Sequence, residues 1–332
     1  MKKLRVFQTV KLKGIVSGFS LKNLGTVLLF LLFLPYLITF LLGNISAGNR
    51  SEAWEDSISQ LEKGNTFVCN RTSLGEERIP LELYVADRLA RSIDCDYELE
   101  ALKAQAVLIR SAVLSEGKGA KDDITLADKS YGEGTVTEKV LQAVTETKGV
   151  SLSYHKNPIS GAYFEVSNGA TRNGSEVGLV ECTYLKGVSC KRDFMSENFM
   201  KLIFYDEQEF EKIWEQIPKK ELSAGEFADR DAVTKEEILE NMILYRDSAD
   251  YVLYVEKNGE CITGEQFRTA YHLPSSCFSL SREGKEIKIS VRGVGHGLGM
   301  SQFGANEMAK EKKDYVEILN YFFQDVTITK FE

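Results

Sequence analysis

Gly293-Val294-Gly295-His296-Gly297-Leu298-Gly299-Met300-Ser301-Gln302-Phe303-Gly304-Ala305-Asn306 decides how this chain is read. Glycines alternate around His296, and the polar pair Ser301-Gln302 follows. Ahead of the stretch, Ile287, Ile289 and Val291 are apolar at every second position, the period of a strand. Beyond it, Ala305, Met308 and Ala309 fall at helical spacing, and Lys310, Lys312 and Lys313 stand where a helix C-terminus favours cations. The expected unit is therefore strand, glycine loop, helix. Glycine permits close approach of another backbone or a ligand, and a histidine on a loop with rigid flanks can meet a ligand. The same residues also suit a buried histidine in a tight turn. No Lys-Ser or Lys-Thr follows, so the loop does not read as a phosphate cradle.

The 332 residues are 43% hydrophobic and 27% charged, enough for one large domain or two small ones. The N-terminus differs from the rest. Lys2, Lys3, Arg5, Lys11, Lys13 and Lys22 are its charged side chains, and Leu24 to Leu42 is an almost unbroken apolar run. About 20 residues at 1.5 Å each span a bilayer core, and positive charge before the run puts the N-terminus inside. Ile45-Ser46-Ala47 is a poor cleavage site, so a retained anchor is expected rather than a cleaved signal peptide. The expected organisation is a basic cytoplasmic tail over 1–23, a transmembrane anchor over 24–43, a stalk over 44–74 and an extracytoplasmic domain over 75–332. Its fold class is α+β, with mixed helices and strands following the membrane helix. Setting the N-terminal cations aside takes the net charge from −8 to −14. That excludes nucleic acid and anionic lipid as main partners of the domain.

Six cysteines lie beyond the apolar run: Cys69, Cys95, Cys182, Cys190, Cys261 and Cys277. An even number in an exported domain permits disulfides, and free buried thiols are equally compatible. Tyr97 to Leu114 reads as a helix with the stripe Leu99, Leu102, Ala106, Ile109 and Val113. Val136 to Lys148 reads as another, ended by Gly149, and Val150 to Tyr154 as a strand that turns at His155–Pro158 and returns over Ile159–Val166. Asp206 with Glu209, and Thr234 with Glu237, read as helix caps. Asn258-Gly259 reads as a hairpin turn between Tyr251–Val255 and Cys261-Ile262. Asp314 caps a last helix through Phe322, and Val326–Phe331 ends the chain as a strand.

The glycine stretch resembles the C-terminal signature of the stage II sporulation protein D family, which includes amidase enhancers. Ile79-Pro80-Leu81-Glu82-Leu83-Tyr84-Val85, then Glu100-Ala101-Leu102-Lys103-Ala104-Gln105-Ala106-Val107 and Arg110, is similar to its N-terminal signature. Ala162 to Thr171, Tyr184–Val188 with Asp193, and Thr263–Arg268 with Leu273–Ser276 also resemble it. The likeness covers about 75–330, with a divergent section near 196–250. It implies a domain acting on peptidoglycan glycan strands during forespore engulfment, in the mother-cell membrane facing the forespore, alongside a cell-wall amidase.

One position departs from the pattern. Eight residues before the first glutamate of the Glu-Ala-Leu-Lys motif the family carries a glutamate, usually before Met-Pro, which acts as the acid of its lytic transglycosylases. That position is Ser92 here, followed by Ile93-Asp94. Lytic cleavage needs a proton donor for the leaving oxygen and a base for a sugar hydroxyl, and a serine supplies neither at neutral pH without a partner. Two readings stay open: a glycan-binding member degenerate in catalysis, or an active lytic transglycosylase using a relocated acid such as Asp94.

The candidate catalytic positions are thus Ser92, Asp94 and His296. Candidate substrate-binding residues are Tyr163, Ser167, Asn168, Gly169, Thr171, Arg268, Gly295, Ser301 and Gln302. Ser167–Thr171 also suits a plain turn, and Arg268 a structural ion pair. Some members place Cys and His metal ligands just before this region. Leu126–Tyr131 has neither, so no metal is expected, and no cofactor.

Overall fold

The computed structural model describes residues 54–64, 66–72, 75–117, 124–125, 131–132, 134–219, 234–239 and 241–330. The basic tail, the apolar run, residues 44–53 of the stalk and 126–130 lie outside the described residues. Met1–Asp56 and Ser57–Glu332 are separate units, and the second is described here. Among the described residues, no helix is long and apolar enough to cross a membrane. The expected mixture of helices and strands is present, as small sheets interleaved with helices.

Strands β1 (Phe67–Thr72) and β2 (Gly75–Pro80) form an antiparallel hairpin. Pro80 then stands at the N-cap of α1 (Leu81–Ser92), where its missing N–H costs nothing. Helix α2 (Leu99–Glu116) follows. The sequence stripe describes only one of its faces. Ala101, Ala104, Val107 and Leu108 on the other side are also fully buried, against α6 (Gln302–Lys310) and α7 (Tyr315–Phe322). A helix buried all round is the post of its domain. Arg110, within it, is wholly buried and clasps Glu82 of α1, with Nη2 to Oε2 at 2.6 Å and Nε to Oε1 at 2.9 Å. Its Nη1 also donates to the Val150 carbonyl. Losing one partner of such a pair costs about 3–5 kcal/mol.

Helix α3 (Glu138–Glu146) and strand β4 (Val150–Tyr154) close this first core, and β15 (Thr327–Lys330) pairs antiparallel with β4. The expected return strand over 159–166 reduces to short pieces, β5 (Asn157–Pro158) and β6 (Tyr163–Phe164). The chain leaves the β4 edge there to pair in parallel with β14 (Met300–Ser301).

A second core holds Phe210, Trp214, Leu244, Val255, Phe267, Phe278 and Ile289. Its sheets are β12-β13-β7, with β7 (Met200–Asp206), β12 (Phe278–Glu283) and β13 (Glu286–Arg292), and β11-β10-β9-β8. Asp206 caps α4 (Glu207–Gln216) as expected, accepting from the Glu209 N–H. The Asn258-Gly259 hairpin joins β10 (Val252–Lys257) to β11 (Glu260–Thr263). Thr234 and Glu237 do not cap a helix. Thr234–Leu239 is β8, paired antiparallel with β9 (Met242–Arg246). Lys-Glu-Glu-Ile-Leu favours helix locally, but pairing along a sheet edge overrides that preference. Thr263 caps α5 (Gly264–Ala270) with a reciprocal Gln266 bond.

The glycine loop leaves β13 in the second core and enters β14 and α6 in the first. It is stitched throughout to Ala162–Arg172: Val294 and Val166 exchange backbone bonds, Met300 donates to the Ala162 carbonyl, and Arg172 donates to the Gly297 carbonyl. At Gly299, φ is +76° and a Cβ would lie 2.1 Å from the Ala162 oxygen. Only glycine fits there.

Candidate functional site

The two end signatures meet at the N-terminus of α6. The Gln302 side chain donates to the Ser92 carbonyl at 2.6 Å, and its amide also approaches Gln105 Oε1 at 3.4 Å. The next residue, Phe303, donates its N–H to the Glu165 carbonyl at 3.0 Å. One turn later, Asn306 Oδ1 accepts from the Glu98 N–H at 2.8 Å. Helix α6 thereby holds the end of α1, the turn over 93–98 and the residue after β6 around one spot.

Beneath that spot sits Asp193, with no exposure. Its Oδ2 accepts from the Ser167 N–H and from the Ser301 hydroxyl, each at 2.6 Å. Ser301 Oγ in turn accepts from the Gly304 N–H and caps α6. Burial, foremost, raises the Asp193 carboxyl above its ordinary range. Its Oδ1 has no hydrogen-bond partner among the described residues.

Around the rim lie Asp94, Tyr97, Glu165 and Glu307. The Tyr97 hydroxyl is pushed up to about 12 by burial, then by the charges of Asp94, Glu165, Asp193 and Glu307. It therefore stays a hydrogen-bond donor at any physiological pH. Glu165 is half-buried, and its Oε1 accepts from Asn198 Nδ2 at 2.8 Å. Ser92 is half-buried at the end of α1, and its hydroxyl turns back to the Leu89 carbonyl at 3.3 Å. Asp94 is exposed, its Oδ1 accepting from the Asp96 N–H in a local turn.

His296 belongs to a second group. Its Nδ1 accepts from the Leu298 N–H at 3.1 Å, so the proton of the neutral ring sits on Nε2. Its ring lies 5.7 Å from that of Phe164. Burial, then Arg268, lowers its pKa, with Glu265 opposing and Arg172 reinforcing. Arg172 is buried against Asp247 at 2.5 Å, lies over the Tyr251 ring and donates to the His296 carbonyl. Arg268 pairs with Glu265 at 3.0 Å and donates to the Leu273 carbonyl. Gly295 bridges to Ser275.

The polar loop expected to face substrate is largely committed inward. Asn168 Nδ2 donates to the Ala249 carbonyl and to Cys277 Sγ, and its Oδ1 accepts from the Ala170 N–H. Ser167 Oγ accepts from the Gly169 N–H. Thr171 Oγ1 accepts from the Val188 N–H at 2.9 Å. Gly169, at φ +111°, lets the exposed Phe194 ring lie where a Cβ would stand, at 2.7 Å. Tyr163 is half-buried in β6. These residues build the floor rather than the lining.

The structure thus brings Ser92, Ser167, Ser301 and Gln302 together through α6 and Asp193, with the Asp94 turn beside them. His296, Gly295 and Arg268 lie along the other part of the glycine loop. Residues that sequence reasoning did not assign are Asp193, Glu165, Tyr97 and Asn198. Glu165 stood inside a quoted motif, but a lone glutamate among strand residues carries no periodic signal. Cavities elsewhere, one of about 820 Å³ beside Pro80 and Lys148 and one of about 780 Å³ beside Tyr205 and Gln266, do not include the glycine loop. No group of potential metal ligands occurs among the described residues.

Comparison with known proteins finds chains similar to this one. A family model described as stage II sporulation protein matches residues 71–154. The stage II sporulation protein D of Bacillus subtilis (strain 168) is 30% identical over 275 residues, covering 76% of each chain. That of Bacillus amyloliquefaciens is 29% identical over 276 residues, covering 76% of this chain and 75% of its own. An amidase enhancer of Bacillus subtilis is 24% identical over 284 residues, 73% of this chain and 40% of its own. With both signatures joined at α6 and a relative matched along three quarters of each chain, this protein belongs to the stage II sporulation protein D family, as a divergent member with Ser92 at the end of α1.

Proposed function

We propose that this protein holds glycan strands of peptidoglycan at the rim formed by the Ser92–Tyr97 turn, Glu165 and Asn198. In this reading it works in forespore engulfment, is anchored by residues 24–43 with its domain outside the mother cell, and assists a cell-wall amidase. The observation that carries the reading is the convergence of both family signatures on the N-terminus of α6, with polar groups left at the surface there. In this reading Ser92 supplies no acid, because it carries a hydroxyl where the family carries a carboxyl; that hydroxyl donates to the Leu89 carbonyl. The floor beneath is bonded through Asp193 to Ser167 and Ser301, which holds the rim in place as a binding surface needs.

The test uses the full-length chain in detergent and peptide-free glycan strands. Saturable retention of strands, weakened at least tenfold by Tyr97→Ala in a folded protein, is the expected result. Equal retention by that variant, or none by the parent chain, overturns the assignment of this rim.

A further inference from the structure

The loss of an acid at Ser92 does not leave the rim without a carboxyl suited to the work. We propose that Glu165 is the general acid of this site, so that cleavage is relocated rather than absent; this rests on the reading that a glycan strand lies over the rim. The geometry is specific. Glu165 and the end of α1 are fixed by consecutive residues of one helix, through Phe303 N–H and the Gln302 amide. The Glu165 side chain is half-buried, and Asn198 holds Oε1 at 2.8 Å. Among the described residues, Oε2 meets no donor. A glycan laid over the rim would put this oxygen against the strand, where a carboxyl can pass a proton to a bridging oxygen.

The neighbouring carboxyls are engaged otherwise. Asp94 is exposed and bonded into its own turn. Asp193 is sealed beneath the surface and bonded to Ser167 and Ser301. Glu307 pairs with Lys310 at 2.6 Å. The Tyr97 hydroxyl, kept protonated among these charges, offers a donor to a sugar oxygen beside Glu165.

The step balances without a further reactant. The Glu165 proton passes to the bridging glycosidic oxygen as the C1–O bond breaks, and the bond's electron pair stays with that oxygen, which leaves as a hydroxyl. The C6 hydroxyl oxygen of the retained sugar then bonds to C1, and its proton returns to the Glu165 carboxylate. The product is a 1,6-anhydro sugar end, with no water consumed.

The experiment incubates full-length protein in detergent with peptide-free glycan strands, counts anhydro ends by mass spectrometry and measures strand retention in parallel. The parent chain is expected to form anhydro ends. Glu165→Gln should lower their rate by about 100-fold or more, a loss far larger than the accompanying loss of strand retention. Asn198→Leu supplies a readout independent of that variant's folding. It removes the bond that fixes Oε1 while leaving the Glu165 carboxyl in place, so anhydro-end formation should slow by about tenfold. Strand retention without anhydro ends from the parent chain overturns Glu165 as the acid and leaves the binding reading standing. Neither retention nor cleavage removes both. Undiminished cleavage by Glu165→Gln, or its loss in folded Asp94→Asn instead, also overturns the assignment.

Discussion

The side-chain amide of Gln302 is bonded to the main-chain carbonyl of Ser92, 2.6 Å away and 210 residues apart in the chain. Because the bond uses the carbonyl, the side chain at 92 can change without breaking it. Ser92→Glu should therefore fold, at a cost of about 0.5–1 kcal/mol for a negative charge in the last turn of a helix. It should raise the rate of anhydro-end formation at least tenfold. A folded variant no faster than the parent chain in the same assay would count against position 92 as the place of the family's acid. Gln302→Leu, which strips the bond and leaves the carbonyl buried, should cost about 1–3 kcal/mol in denaturant melts.

Asp193 ties Ser167 to Ser301, and its carboxyl is raised from its ordinary 3.8, chiefly by burial. The folded state therefore holds this proton more tightly than the unfolded one. Its contribution is most favourable below the unfolded value and declines as pH rises through the folded one. Asp193→Asn keeps an acceptor for both donors and removes the charge. Its melting temperature relative to the parent should improve as pH rises from below 3.8, and a gap moving the other way would refute the sign. Asp193→Ala, with no acceptor, should lose about 1–3 kcal/mol at either pH.

The pKa of His296 is lowered from 6.5, first by burial and then by Arg268. Below 6.5 the unfolded chain binds the proton that the folded imidazole refuses. Stability from this residue is thus full above that pH and is lost as pH falls through the folded value. Proton NMR should show the ring titrating below 6.5. His296→Asn, whose Oδ1 can accept the Leu298 N–H, should flatten the acid side of the stability profile; an unchanged slope would show that other groups set it.

No disulfide joins the six cysteines; Cys69, Cys190, Cys261 and Cys277 are buried and Cys95 and Cys182 half-exposed. Burial, foremost, pushes Cys190 up to about 12 and Cys261 up to about 11. Thiolate is the reactive form. Access then decides the order: iodoacetamide at neutral pH should label the half-exposed Cys182 and, more slowly because burial and then Asp94 and Asp96 raise its thiol, Cys95 in the native protein, and the other four after denaturation. Labelling of Cys190 before unfolding would show that the Asp193 region opens.

The sequence by itself carried the strand–loop–helix unit at 286–310, the Asn258-Gly259 hairpin and the caps at Asp206 and Asp314, because each is encoded by neighbours in the chain. It also exposed the substitution at Ser92, a matter of counting. Tertiary structure decided what depends on distant partners. Thr234–Leu239 is a strand because β9 lies alongside, although its residues favour helix alone. Helix α2 is buried on both faces because α6 and α7 return from the far end of the chain. Ser167, Asn168 and Thr171 look like ligand-binding groups in the sequence, yet they are consumed by Asp193, Ala249 and Val188, since a buried polar group must find a partner. Glu165 carries no local signature, and only the junction of β6, α6 and the 93–98 turn sets it beside Tyr97 and Asn198, where its carboxyl can meet a substrate.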